Sequence, residues 1–380
     1  MRRPQKARTT VFYRRSPYLV CYWSGGQLIF ENYMARKRVR AAPLAFEVLE
    51  LFDRWRSPKA LTDHFSQFSL AAARSALRGL ERCSLLERLD HKPPRNPPAL
   101  KSWKNWSPAA ALLHFSTRDG SFRADLKEVA RRLRRRAKSE PMPPPVKRYP
   151  GAKQVRLPAP ETRGDFPRVL LARRTWRQFS DEPIELQTLG TLLGLAWGIQ
   201  WKVELPGLGQ LALKTSPSAG ARHPLEVYAL ALRVRGLPRG LYHYAPDVHR
   251  LELVRRGSSS HQAVGYLAGQ SWFGSAAALM LMTAVFPRVQ WKYHSPRAYL
   301  SILVDAGHVC QTFCLVATWL GLAPFCTMAL ADSKIESDLG IDGVRESILY
   351  AAGVGARLKE TDWAPWPARP YGGRLPNVFL

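Results

Sequence analysis

The spacing of apolar positions changes several times along the chain, and each change predicts a different kind of element. Residues 10–35 carry short runs of aromatic and β-branched side chains, VFYRR, YLVCYW and QLIFENY, with Gly25-Gly26 before the last run. These predict short strands and a glycine turn. Over residues 42–90 the spacing becomes helical. In AAPLAFEVLELFDRW, Leu44, Val48, Leu49 and Phe52 fall at helical intervals. SPKALTDHF offers Ser57 as an N-cap and Pro58 at the first helical position. LAAARSALRGLERCSLLER is amphipathic again and ends in an apolar tail. Strands followed by three helices predict a small winged-helix-like module over residues 1–92.

The stretch HKPPRNPPALKSW reads as a Pro-rich linker. A basic helix is expected from about Ser121 to Lys138, and EPMPPPVKRYP ends it because proline supplies no helix donor. The linker with its basic helix spans residues 93–160, with the domain boundary between about 140 and 160. From about residue 165 helix and strand patterns alternate. FPRVLLARR is a helix running into a polar turn, and IELQTLGTLLGLAWGIQW is a helix. HPLEVYALALRV is a strand, GLYHYAPDVHRLELV a hairpin and SAAALMLMTAVF a buried strand. PRAYLSILVDAGHVCQTFCLVATWLGL is a long buried helix, and ESILYAAGVGA is a strand. The fold class is α+β, with residues 161–380 building a central, mostly antiparallel sheet flanked by helices. No internal repeat is visible.

A length of 380 residues suits two domains, and 46% hydrophobic residues excludes a disordered chain. The net charge of +28 admits three sources: nucleic-acid binding, an acidic peptide or protein partner, and arginine on solvated faces. The run RRLRRRAK, Arg131 to Lys138, reads first as a solvated helix face and otherwise as a nucleic-acid or acidic-partner patch. The five cysteines, Cys21, Cys83, Cys310, Cys314 and Cys326, form no CxxC pair, so neither a zinc ribbon nor a thioredoxin motif is supported and no metal site is expected. Cys310 and Cys314, spaced i, i+4 on an apolar stretch, read as core packing in a reducing cytoplasm. The basic MRRPQKARTT is not followed by a signal-peptide pattern. Tyr299 to Phe325 is long enough to span a bilayer, but Asp305, His308 and Gln311 at helical spacing favour a buried helix and no membrane.

Chemistry concentrates in three segments. ARRTWRQF, Ala172 to Phe179, packs Arg173, Arg174 and Arg177 around Thr175, and guanidinium forks match a phosphate. SPSAGARHPLEVY, Ser216 to Tyr228, surrounds Gly220 with small residues, so backbone can approach a flat ring. ILYAAGVGARL ends a strand with Gly353, Gly355 and Arg357, where exposed N–H groups and a cation suit phosphate.

Together these segments resemble the nitroreductase superfamily, and within it the SagB/ThcOx-type azoline dehydrogenases that include McbC-like enzymes. RRTWRQF resembles the family's RRSxRxF, and PSAGARHP its PSAGAxxP. LVDAGHVCQTFCLVATWLGL resembles DAGxxxQxxxLxAxxLGL, and LGIDGVRESILYAAGVG resembles LGxDxxxExxLYxxxVG. The likeness spans roughly residues 165 to 360. QWKYHSPRAY adds Lys292-Tyr293, where azoline dehydrogenases carry their catalytic Lys-Tyr pair. GLAPFC departs from the family's GLG-type turn, and Arg222-His223 is bulkier and more basic than many relatives.

The resemblance implies an FMN-binding homodimer that shares its flavin sites between chains. It implies that Arg173, Arg174, Thr175 and Arg177 hold the phosphate and ribityl chain. Ser216, Pro217, Ser218 and Gly220 then face the isoalloxazine, while Gly355 and Arg357 complete the phosphate site. It implies an FMN-dependent dehydrogenase acting on azoline rings, or related C–N or C–C bonds, in a ribosomally made peptide or natural product. Hydride would pass to flavin N5, with Lys292 taking the proton where burial lowers its pKa and Tyr293 assisting. The N-terminal module would bind an acidic leader peptide by strand addition, with a cyclodehydratase as a further partner. Two other readings stay open: an NAD(P)H-dependent nitroreductase on small molecules, and a basic winged-helix protein that binds nucleic acid and senses flavin.

Overall fold

A computed structural model describes residues 11–90, 103, 105–120, 126–140, 163–205 and 209–358. The chain divides into two compact units, Met1–Arg118 with Ser295–Arg297, and Asp119–His294 with Ala298–Leu380. Both expected Pro-rich stretches, 91–102 and 141–160, lie outside the described residues, as does the expected helix start at Ser121.

In the N-terminal unit, β1 (Phe12–Arg15), β2 (Leu19–Ser24), β3 (Gln27–Asn32) and β4 (Lys37–Arg40) precede α1 (Pro43–Leu51), α2 (Lys59–His64), α3 (Leu70–Arg82) and β5 (Leu86–Leu89). α4 (Ser107–Thr117) follows. β2, β3 and β4 form an antiparallel meander, and β5 returns to pair with β1. Gly25 and Gly26 turn β2 into β3 with φ of 57° and 74°, a geometry that glycine adopts without a Cβ penalty. α3 begins at Ser69, whose hydroxyl accepts from the Ala72 N–H at 3.2 Å. α2 differs from expectation. Pro58, not Ser57, is its N-cap residue, and no side chain caps it. Phe52, Leu61 and Leu77 are fully buried in the core of this unit. Each stabilises it by about 1.5–3 kcal/mol over exposure.

The second unit contains α5 (Leu126–Ser139), α6 (Asp165–Ala172), β6 (Ile184–Glu185), α7 (Leu186–Trp197), β7 (Ile199–Leu205) and β8 (Gly209–Lys214). β9 (Leu225–Ala231), β10 (Val234–Arg235), β11 (Gly240–Ala245), β12 (Arg250–Arg256) and α8 (Ser260–Tyr266) follow. It closes with β13 (Ala278–Val285), α9 (Phe286–Gln290), α10 (Ala298–Trp319), β14 (Leu322–Thr327), α11 (Asp332–Leu339) and β15 (Glu346–Ala356). The central sheet runs β12-β11-β9-β13-β15-β14, and every pairing in it is antiparallel. β13 is buried along nearly its whole length, so its sequence is a continuous apolar run without alternation. The expected helix through Trp201 stops early, because Gly198 leaves helical geometry and Ile199 opens the β7–β8 hairpin. Ile199 and Trp201 of β7 continue the apolar spacing of α7, which is why the sequence pattern alone extends the helix.

α10 is long and apolar enough to cross a membrane. In the fold it buries Tyr299, Ile302, Val309, Phe313 and Ala317 within its unit, together with Asp305.

Candidate active site

The loop between β8 and β9 is bent by three left-handed residues, Gly220, Ala221 and His223, at φ of 60°, 51° and 40°. Left-handed geometry at non-glycine residues is costly and needs surrounding structure to hold it. One stripe of α10 supplies the hold. The Ser218 hydroxyl donates to Asp305 Oδ2 at 2.6 Å, and Ser216 and Thr312 share a hydroxyl hydrogen bond of 2.7 Å. His308 Nδ1 lies 3.4 Å from the Pro217 carbonyl. Asp305, His308 and Thr312 follow helical spacing, so they face one way. The sequence offers Asp305 and His308 as arguments against a membrane span and Asp305 as part of the DAG motif, and it assigns neither a place in the site.

α9 fastens the other side of the loop. Arg222 Nε donates to the Arg288 carbonyl at 2.9 Å, and Arg288 Nη1 donates to the His223 carbonyl at 3.2 Å. Arg288 also pairs with Glu226 at 2.5 Å, and the Arg222 guanidinium lies 4.8 Å over the Trp291 ring. The turn after α9 brings Lys292 and Tyr293 onto Gly220. A Cβ there would stand 2.5 Å from Tyr293 Oη and 2.6 Å from Lys292 Nζ. The structure therefore joins Ser216, Pro217, Ser218, Gly220, Lys292 and Tyr293 in one place. Lys292 is exposed on the single chain, unlike the buried amine that its expected role asked for, because it lies in a turn beyond the end of α9.

Beneath the loop, Trp197, Lys214, Ser216, His223 and Asp305 line a small cavity. Burial, reinforced by the nearby Lys214 charge, pushes the His223 imidazole down to about 4, so it is neutral at pH 7. Burial likewise lowers Lys214 and raises Asp305, the latter opposed by hydrogen bonds from Ser218 and Ala219.

The remaining candidates gather where residues 173–180 run beside the sheet. The Trp176 N–H donates to the Pro324 carbonyl at 2.9 Å, and Ser180 bridges to Ala356. Arg357 spends Nε on the Leu322 carbonyl and Nη2 on the Thr318 carbonyl, and lies 5.6 Å over the Trp176 ring. Gly355 lies under Phe179, whose atoms would come within 2.7–2.9 Å of a Cβ. Packing within the chain already requires glycine there. Arg174 donates to the carbonyls of Leu171 and Arg173. Thr175 is exposed. Arg173 and Arg177 are half-buried, and among the described residues neither guanidinium has a hydrogen-bonding or ion-pair partner. These two guanidiniums, without hydrogen-bond partners among the described residues, suit an anionic group, and the loop with no space for a Cβ suits a flat one.

Residues 170–356 match the model of the Nitroreductase family, and the chain carries an oxidoreductase domain of that family. Over 191 residues the chain is 28% identical to MJ1384, a nitroreductase-family protein of Methanocaldococcus jannaschii, covering 50% of this chain and 90% of that one. It is 31% identical over 175 residues to the trifolitoxin-processing protein TfxB of Rhizobium leguminosarum bv. trifolii. That match covers 44% of this chain, and the chain spans 46% of the length of TfxB. Among solved structures, the Escherichia coli microcin synthetase McbBCD complex with truncated pro-MccB17 aligns with a TM-score of 0.49 and 22% identity, over 70% of this chain and 99% of that chain. A nitroreductase-family structure from Anabaena variabilis aligns at 0.44 and 24%, over 53% of this chain and 40% of that one.

Proposed function

We propose that the chain is an FMN-dependent dehydrogenase that oxidises azoline rings, or a related C–N or C–C bond, in a peptide or natural product. The observation that carries this reading is the convergence of Lys292 Nζ and Tyr293 Oη on Gly220. The sequence likeness to a toxin-processing protein supports a modification pathway over general nitro-group reduction. Arg173 and Arg177 would hold the phosphate, with Arg174, Thr175, Gly355 and Arg357 around them. Ser216, Pro217, Ser218 and Gly220 would carry the ring. Bound FMN supplies the hydride acceptor. The protein supplies the rest. Azoline-to-azole oxidation removes a hydride and a proton, and Lys292 takes the proton while Tyr293 orients the ring. The water exclusion that such a base needs comes from the substrate and a second chain covering the loop.

A homodimer is supported by apolar side chains left open on this unit, among them Phe166 at 66%, Trp201 at 70% and Trp319 at 55% exposure. In the N-terminal unit, β4 ends its sheet with Lys37, Arg38 and Arg40 exposed. A basic sheet edge suits an acidic leader peptide added as a further strand, and a cyclodehydratase would present the azoline substrate.

The test begins with the visible spectrum and chromatographic identity of the released cofactor. The flavin-loaded protein is then assayed on an azoline-containing peptide beside its Lys292→Ala and Tyr293→Phe variants. Loss of turnover with flavin retained supports the reading. Full turnover in Lys292→Ala removes the proposed base. Activity with NAD(P)H and nitroaromatics alone would favour the general nitroreductase.

A further inference from the structure

The cysteines were dispersed in sequence, but the fold gathers three of them. Cys310 and Cys314 lie one turn apart on α10 and are buried. Cys326 stands on β14, which packs against that helix, and is half-buried. The three Sγ atoms all lie within 4.8 Å of one another, and all three thiols are free. At a metal–sulfur distance of about 2.3 Å, three thiolates around one ion stand about 4 Å apart. Side-chain adjustments of about an ångström or less would close the site, with no backbone rearrangement. On β15, Tyr350 reaches Cys326 with its hydroxyl, and Arg173 is the cation beside Cys314 and Cys326. A hydroxyl donor and a positive charge are what a metal trithiolate, which is net anionic, requires around it. Thiolate ligands select soft d10 ions over Mg2+ or Ca2+.

We propose that Cys310, Cys314 and Cys326 form a three-thiolate site for a soft d10 cation, Zn2+ or Cu+, that joins α10 to β14. The reading shares Arg173 with the proposed phosphate site but needs no flavin step, and it is tested without turnover. Full-length protein is kept reduced, stripped with a chelator, and titrated with Zn2+ alone and, anaerobically, with Cu+ alone, each against a chromophoric competitor. The expected result is a single ion per chain, X-ray absorption showing sulfur ligands at about 2.3 Å for Zn2+, and a rise in melting temperature on loading. Whichever ion outcompetes the indicator is the assigned one. Cys326→Ser conserves size at a half-buried position, and circular dichroism reports whether it folds. Folded Cys326→Ser should lose affinity by more than the roughly tenfold that loss of an outer partner costs, while Cys21→Ser and Cys83→Ser should bind as wild type. Wild-type protein that takes up neither ion, or binding unchanged in Cys326→Ser, overturns the site and leaves a packed thiol cluster.

Discussion

Ser218 donates to Asp305 at 2.6 Å, and this bond ties the tip of the β8–β9 loop to the longest helix. Asp305 also accepts the Ala219 N–H, so its carboxylate answers two donors. Asp305→Ala would strand both half-buried donors, at a cost below the roughly 1–3 kcal/mol of a fully buried unpaired group. The expected outcome is a protein with a lowered melting temperature and weaker flavin retention. Asp305→Asn, which keeps one carbonyl acceptor, should recover part of both. A double mutant with Ser218→Ala checks the coupling, because contacting partners should show non-additive losses.

Gly220→Ala tests the convergence directly. The φ of 60° disfavours any L side chain, and the new methyl would meet Lys292 and Tyr293. The left-handed penalty alone is roughly 1–2 kcal/mol. Because both side-chain ends are mobile, the fold should survive while turnover falls by at least about tenfold, a loss of about 1.4 kcal/mol. Steady-state kinetics beside a thermal melt separates the two effects.

Arginine substitutions should rank by how committed each guanidinium already is. Arg173→Ala and Arg177→Ala remove uncommitted forks, and each should weaken FMN binding by roughly 10- to 150-fold, from about 1.5–3 kcal/mol per charge-assisted bond. Arg174→Ala should weaken it less, since that side chain is bonded to local carbonyls. Flavin fluorescence titrations of the apoprotein give the ranking. Equal losses at all three positions would contradict it.

Gly355→Ala distinguishes packing from ligand contact. With Phe179 within 2.7–2.9 Å of the added Cβ, the apoprotein itself should lose about 1–3 kcal/mol by over-packing. A melt without flavin shows this. An unchanged apoprotein with weakened flavin binding would assign the glycine to the phosphate instead.

Two histidines give stability opposite pH limbs. His243 lies 3.0 Å from Glu226 and 2.8 Å from Glu252, and the Glu226 hydrogen bond leads in raising its imidazole to about 9 against the effect of burial. The unfolded residue titrates near 6.5. Its contribution is therefore full below about pH 6.5 and lost as pH rises through about 9. His223, held down at about 4 first by burial, acts in the other direction. Between about pH 6.5 and 4 the unfolded chain binds the extra proton, so stability falls as pH falls. Chemical denaturation across pH should show His243→Gln flattening only the alkaline limb and His223→Gln only the acid limb.

Long, strongly patterned elements were legible in the sequence. β13 is a continuous apolar run that reads as a buried strand, α10 is long and strongly apolar, and Gly25-Gly26 marked its hairpin. Ser216 to Gly220 and Lys292-Tyr293 were also singled out, and the fold brings these distant segments together. Other features depend on contacts that no local pattern records. Ile199 continues the apolar rhythm of α7 and becomes strand only because Gly198 ends the helix. Asp305 acquires its role from Ser218, far away in the chain. Gly355 reads as a phosphate loop until Phe179 is seen above it. Cys326 joins Cys310 and Cys314 only through the packing of β14 on α10.

The paired bonds of Arg222 and Arg288 have a mechanical consequence. Each side chain grips the other segment's backbone, so sliding either one breaks a bond on both. The loop and the turn carrying Lys292 thus behave as one stiff jaw. The same loop is pinned to α10 through Ser216 and Ser218, so α9, the loop and that helix brace one another beneath Lys292. The backbone that carries the amine is thereby set against the loop, while the side chain keeps its own rotamers.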